Sequence, residues 1–198
     1  MGRNVEGLKK ALTNISGKDV VGETKGEVYN NFNLHYVDVK LALVIKNAAG
    51  QVVATPTVAV ALGETAVNAG TDGKYPVKMG TYAVSVSKTG YESASVNVEI
   101  TYDDAKAETK EVIVVLHEPC DVTFAVKDAL GAAVDTPTIT VTKDATPVTA
   151  TNGVYACGKG TYSYSVAKTG YTTAEGTFTI ADADLDTAKE IAVELAAA

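Results

Sequence analysis

Three aspartates stand at alternate positions in Ala181-Asp182-Ala183-Asp184-Leu185-Asp186. Carboxylates two residues apart are how a calcium loop begins. Such a loop then needs a glycine at its sixth position and a bidentate glutamate at its twelfth. Thr187 and Val193 occupy those places, so the run reads as an acidic, solvated turn leading into a last strand. Asp103-Asp104 reads the same way. The two histidines, His35 and His117, lie in different segments, each without a Cys/Asp/Glu ligand pattern. His117-Glu118-Pro119 reads as a solvated linker. No G-x-S-x-G elbow is present, and Ser85, Ser87, Ser163 and Ser165 fall on outward faces of alternating segments. The thiols are Cys120 and Cys157, whose spacing does not fit a zinc site. No catalytic residue, metal or cofactor is expected, and the chain is not expected to be an enzyme.

The elements that carry these residues are written twice. Lys46–Val60, KNAAGQVVATPTVAV, returns as Lys127–Val141, KDALGAAVDTPTITV. Gly80-Thr81-Tyr82 returns as Gly160-Thr161-Tyr162, and Lys88-Thr89-Gly90-Tyr91 as Lys168-Thr169-Gly170-Tyr171. Lys110-Glu111-Val112 returns as Lys189-Glu190-Ile191. The offset falls from 81 to 80 to 79 along the chain, so two single residues are lost in the second copy. In the first copy Val39 and Val77 stand where the second has Cys120 and Cys157. The fold therefore does not require a disulfide, and two buried thiols are expected in preference to a bridge between them.

The period is two within each copy. Val39, Leu41, Leu43 and Ile45 alternate with Lys40, Ala42 and Val44, as Val122, Phe124 and Val126 alternate with Asp121, Thr123 and Ala125. That pattern predicts strands with one buried face. Asn47–Gly50 and Asp128–Gly131 read as turns, Pro56 and Pro137 open the next strands, and Asp72-Gly73 and Asn152-Gly153 are hairpin dipeptides. Tyr82, Tyr162 and Tyr164 alternate with small residues and are expected to face the core; Tyr91 and Tyr171 follow turn glycines. A sugar-binding platform would need exposed rings, and Trp is absent. Further strands are expected over 92–102, 111–116, 172–180 and 189–195. About seven strands per copy is the count of a β-sandwich. The predicted architecture is mainly β, two tandem immunoglobulin-like antiparallel sandwiches over 38–118 and 119–198, after a short helical segment over 1–37.

That first segment has no counterpart in either copy. Val5, Leu8, Leu12 and Ile15 form one apolar helical stripe, and Ser16-Gly17 ends it. Thr24-Lys25-Gly26-Glu27 has the form of a capping box before Val28, Phe32 and Tyr36, which share a second face. Helices are predicted over 4–15 and 25–35. They are too short to stand alone, so these two faces either dock on a partner or pack on the first sandwich.

The chain of 198 residues has a formal charge of −7. Residues 1–37 hold five Lys/Arg and four Asp/Glu, leaving +1 there and −8 on the rest. An acidic surface argues against nucleic acid and anionic membranes as partners. No stretch approaches the roughly 20 apolar residues of a membrane span. No secretion signal is expected, because MGRNVEGLKKALTNISG lacks an uninterrupted apolar core. Glu6 removes the sixth-residue Ser/Thr of a myristoylation motif, and no wall-sorting tail follows the second copy.

The string of D/N-x-x-G-x-x-V, V-x-V, D/N-G-x-Y, G-T-Y-x-x-x-V and K-T-G-Y over residues 39–198 resembles bacterial immunoglobulin-like and prealbumin-like modules. These include the carboxypeptidase-regulatory-like domains and collagen-adhesin B-type repeats. The resemblance implies the sandwich fold and speaks little of role, since such modules serve as spacers, stalks and binding heads. Some of them carry a Lys–Asn isopeptide crosslink. Lys46 and Lys127 are the candidates for it here, but KEVIVVL and KEIAVEL offer no matching Asn. The whole layout resembles head decoration or head-fibre proteins of tailed bacteriophages. It implies a virion structural protein assembled in the host cytoplasm. Such a protein would dock on a major capsid or other virion protein through Val5, Leu8, Leu12, Ile15, Val28, Phe32 and Tyr36, as a homo-oligomer on the capsid, with host-surface glycan a further partner. The alternative is a bacterial surface adhesin or stalk that binds glycan or matrix protein. A third reading is a regulatory β-module attached to an enzyme.

Overall fold

A computed structural model describes residues 37–198, which form two compact units that repeat one strand plan. The first runs β1 (Val39–Asn47), β2 (Thr57–Leu62), β3 (Thr65–Val67), β4 (Tyr75–Val77), β5 (Gly80–Ser87), β6 (Ala94–Ile100), the short helix α1 (Tyr102–Ala107) and β7 (Thr109–Leu116). A three-stranded sheet, β4-β1-β7, accompanies a four-stranded one, β3-β2-β5-β6. The second runs β8 (Cys120–Asp128), β9 (Thr138–Lys143), β10 (Thr146–Val148), β11 (Tyr155–Cys157), β12 (Gly160–Ala167), β13 (Ala174–Ile180), a 3-10 turn (Asp182–Asp184) and β14 (Ala188–Leu195). Its sheets are β11-β8-β14 and β10-β9-β12-β13, the same order again. The predicted helices over 4–15 and 25–35, and the faces Val5 to Ile15 and Val28 to Tyr36, lie outside the described residues.

Alternation does what the period-two pattern requires. Along β5, Tyr82, Val84 and Val86 are buried while Thr81, Ala83, Ser85 and Ser87 are exposed. Val39, Leu41, Val60, Val98, Ile100, Val114 and Leu116 complete much of the first core. A fully buried leucine such as Leu41 or Leu116 contributes about 1.5–3 kcal/mol. The second core is aromatic where the first is aliphatic. Phe124 meets Tyr155, Tyr164 and Phe178 edge-on at 5.7, 5.2 and 6.1 Å between ring centres. Tyr162 stacks on Phe178 at 5.1 Å.

Two features depart from the sequence expectation. β14 runs parallel to β8, from Ala188 beside Asp121 to Leu195 beside Asp128, so the second unit is not wholly antiparallel. Side chains alternate with the same period in either direction, so the pattern is blind to strand sense. The strand expected over 92–102 stops at Ile100, because Thr101 caps α1. Its hydroxyl accepts the Asp104 N–H and Asp104 in turn accepts the Thr101 N–H, a reciprocal cap. In the second unit one residue fewer separates Ile180 from Lys189, and the helix shrinks to the 3-10 turn.

The turns are held by the repeated motifs. Asn152 and Gly153 both take positive φ, 52° and 81°, and Thr151 and Val154 pair across them as in a two-residue hairpin. In K-T-G-Y of the second unit, the Lys168 ammonium reaches the Asp135 carbonyl at 2.6 Å and the Thr136 hydroxyl at 3.1 Å. Thr136 is a β-branched residue at φ 49°, a costly conformation before Pro137 that this clamp helps to hold.

Candidate functional site

The acidic turn that invited a calcium reading spreads its carboxylates onto three different bases. Asp182 pairs with Lys159 at 2.9 Å, Asp184 with Lys189 at 3.5 Å, and Asp186 with His117 Nδ1 at 2.5 Å. Asp186 also accepts the Glu118 N–H at 2.7 Å, so it ties the His117-Glu118 segment to the second unit. Burial pushes the Asp186 carboxyl up, and the His117 and Glu118 bonds more than reverse this, leaving it below the usual carboxylate range. Carboxylates that diverge onto separate bases do not converge on one ion. Among the described residues no cluster of three or more His, Cys, Asp or Glu is placed to hold a metal.

One arrangement recurs at the equivalent place in both units. Lys110 donates to Asp104 at 2.7 Å and to the Glu99 carbonyl at 2.8 Å. Lys189 stands 3.5 Å from both Asp184 oxygens and donates to the Thr179 carbonyl at 3.1 Å. Each lysine thereby fastens the last strand to the end of the strand before it. Burial raises the Asp104 carboxyl, but Lys110 and the N–H and hydroxyl of Thr101 outweigh it and hold the group below its ordinary value. For Asp184 the Ala181 N–H is the largest influence and lowers it; burial opposes, and Lys189 lowers it further.

Of the three tyrosines expected to face the core, Tyr82 and Tyr162 are fully inside. Tyr82 and Tyr162 are both 3% exposed. The Tyr162 hydroxyl donates to the Gly158 carbonyl at 2.9 Å, whereas the Tyr82 hydroxyl accepts the Lys78 N–H at 2.9 Å. Burial above all pushes the Tyr162 phenol up to about 12. Tyr164 is half-buried among the aromatic rings, and Tyr91 and Tyr171 are half-buried at the turns. Ser85, Ser87 and Ser163 are exposed as expected, and Ser165 half-exposed. Lys46 and Lys127, the crosslink candidates, are the next-to-last residues of β1 and β8; Lys127 stands in register with Glu194 of β14. Cys120 and Cys157 are free thiols, both fully buried. They also face each other across β8 and β11, which the sequence did not disclose. The reciprocal cap at Thr101 was missed too, although T-x-x-D at 101–104 is its written signal.

No family model matches the chain, and no curated protein matches it. Several solved structures superpose on it loosely. The Bacillus anthracis TIE protein is 16% identical at a TM-score of 0.38, over 81% of this chain and 34% of its own. A streptococcal ancillary pilin is 14% identical at 0.44, over 82% and 63%. The shaft pilin SpaA of Lactobacillus rhamnosus GG is 11% identical at 0.31, over 82% and 98%. The chain thus spans about a third of the TIE chain and under two thirds of the ancillary pilin chain.

Proposed function

We propose that this chain is a non-enzymatic structural or adhesive module of a bacterial surface, a tandem of β-sandwiches that displays or spaces a contact with glycan or matrix protein. One observation carries the reading. Several side chains with reactive potential are used for holding the fold, and the Lys-to-Asp clamp and the buried G-T-Y tyrosine recur in both units. Asp104 and Asp184 receive Lys110 and Lys189, the paired tyrosines Tyr82 and Tyr162 tie core to turn, and Asp186 receives His117. A scaffold repeated with its internal fastenings intact, around two well-filled cores, fits a part that holds and extends.

The virion reading needs a capsid contact, and that contact was assigned to Val5, Leu8, Leu12, Ile15, Val28, Phe32 and Tyr36, outside the described residues. The surface reading draws on the sandwiches themselves, and is preferred for that reason. Immunogold labelling with antibodies to residues 38–198, applied to intact producing cells and to purified phage particles, tests it. Label on cells, with saturable binding on a glycan or matrix-protein array, is the expected result. Label confined to phage particles would sink it in favour of capsid decoration.

A further inference from the structure

The two units differ in reactive chemistry at one strand pair. In the first, Val39 of β1 stands opposite Val77 of β4. In the second, Cys120 of β8 stands opposite Cys157 of β11. Directly opposed residues of an antiparallel pair point to the same face, and here that face is the core, where both cysteines are fully buried. The Asp121 N–H donates to the carbonyl of Thr187, the residue just before β14. Main-chain groups alternate sides along a strand, so those of Cys120 face β11, and the two cysteines form a hydrogen-bonded pair. The α-carbons of such a pair lie about 5.5 Å apart. Disulfides span about 4.4–6.8 Å between α-carbons and about 3.5–4.5 Å between β-carbons. The β-carbons of a hydrogen-bonded pair stand near the far end of about 4.5–5.5 Å, so closing the bond draws the short edge strand in by about an ångström.

Access follows from the strand that carries the second thiol. β11 has three residues, Tyr155–Cys157, and lies at the edge of its sheet with β8 as its one neighbour. A three-residue edge strand has one short ladder to break, and Tyr155 and Cys157 must leave the core with it before the thiol is reached. Burial pushes the Cys157 thiol up to about 11, with Cys120 adding to the rise, so in the closed state it is a poor nucleophile. Opening of β11 returns it to water and to ordinary reactivity.

We propose that Cys120 and Cys157 form a cross-strand disulfide, which makes the second unit, and not the first, responsive to a small-molecule disulfide oxidant. The Cys157 thiolate attacks one sulfur of the oxidant, breaks its S–S bond and releases one oxidant thiol. The Cys120 thiolate then attacks Cys157 in the mixed disulfide and releases the second. The two cysteines lose two electrons and two protons, and the oxidant leaves as two thiols. The bridge pins β11 to β8 and restricts the unfolded chain between residues 120 and 157. This inference does not rest on the surface role; it holds wherever the chain meets such an oxidant.

The test incubates the full chain with oxidised glutathione, both natively and during refolding from urea. Intact mass, non-reducing peptide maps and hydrogen exchange are then read. The expected result is loss of two hydrogens, a Cys120–Cys157 linked peptide, and exchange of Tyr155–Cys157 slowed at least tenfold relative to the reduced chain. The β4 peptide Tyr75–Val77 should not change. The double variant C120V/C157V, which copies the pair of the first unit, should fold and show no response to oxidant. Glutathione caps without a bridge, chain-to-chain disulfides, or a bridge that leaves β11 exchange unchanged would each overturn the proposal.

Discussion

The two units share a strand plan, but they fill their cores differently. Where the first pairs Val84 of β5 with Val96 of β6, the second pairs Tyr164 of β12 with Gly176 of β13. Leu43 and Val98 of the first correspond to Phe124 and Phe178 of the second. The exchanges compensate each other in size. A β-carbon added at Gly176 would lie 2.5 Å from the Tyr164 hydroxyl oxygen and 2.6 Å from the ring carbon that bears it. The glycine is therefore there for space under a ring, and the ring is there because the glycine leaves it room. What stays constant between the units is the set of fastenings: the Lys-to-Asp clamp, the buried G-T-Y tyrosine and the turn glycines. Volume-conserving exchange in a core is tolerated, while loss of a cap or clamp has no nearby substitute.

The sharpest break of this comparison is Gly176→Val, which restores the first unit's residue without its partner. It overpacks the Tyr164 ring and should cost about 2–3 kcal/mol in urea unfolding. Adding Tyr164→Val should recover part of that loss, though not all, because Phe124 then loses a ring contact. The coupling between the two changes should lie at about 1–2 kcal/mol. Strict additivity would mean that the ring and the glycine are not a matched pair.

A smaller effect separates the two clamps. Asp104 and Asp184 both have folded-state values lowered from the ordinary carboxylate. The stability each contributes is therefore present above its unfolded value and lost as pH falls through its folded one. Unfolding free energy measured from pH 7 down to pH 3 should decline in acid, and less so in Asp104→Asn and Asp184→Asn. The first clamp is shorter, 2.7 against 3.5 Å, so Asp104→Asn should remove more of the acid dependence. Equal slopes would show that the difference in distance has no energetic meaning.

How much of this could be read from the chain differs by feature. Repeats, turns and inward faces were legible because each rests on local pattern: β1 alternates, Asn152-Gly153 demands positive φ, and Tyr82 and Tyr162 sit among small residues. Strand sense was not legible, since β14 would alternate identically beside β8 in either direction. Nor was the meeting of Cys120 with Cys157. Their counterparts Val39 and Val77 announce burial, but which buried residues face each other is set by register between strands distant in sequence. The clamp lysines were visible as a repeated K-E-V/I, yet their partners Asp104 and Asp184 sit in segments of different length, helix in one unit and 3-10 turn in the other. The space under Tyr164 was invisible for the same reason, because Gly176 becomes its neighbour only across the sheet.

The finest contrast lies in the two G-T-Y tyrosines, which are equally buried but use their hydroxyls in opposite senses. Tyr82 accepts from the Lys78 N–H, while Tyr162 donates to the Gly158 carbonyl. Replacing either with Phe removes one hydrogen bond, worth about 1 kcal/mol. The groups left behind are not equivalent. An N–H has one proton to place and an orphaned donor is rarely tolerated, whereas a carbonyl has a second lone pair and is more often left under-satisfied. Tyr82→Phe should therefore destabilise its unit more than Tyr162→Phe, by a few tenths of a kcal/mol. The comparison is read by urea unfolding followed through hydrogen exchange of β5 and β12. If Tyr162→Phe proves the costlier change, the aromatic stack of Tyr162 on Phe178, and not the hydroxyl, governs this corner, because removing the oxygen would then have shifted the ring.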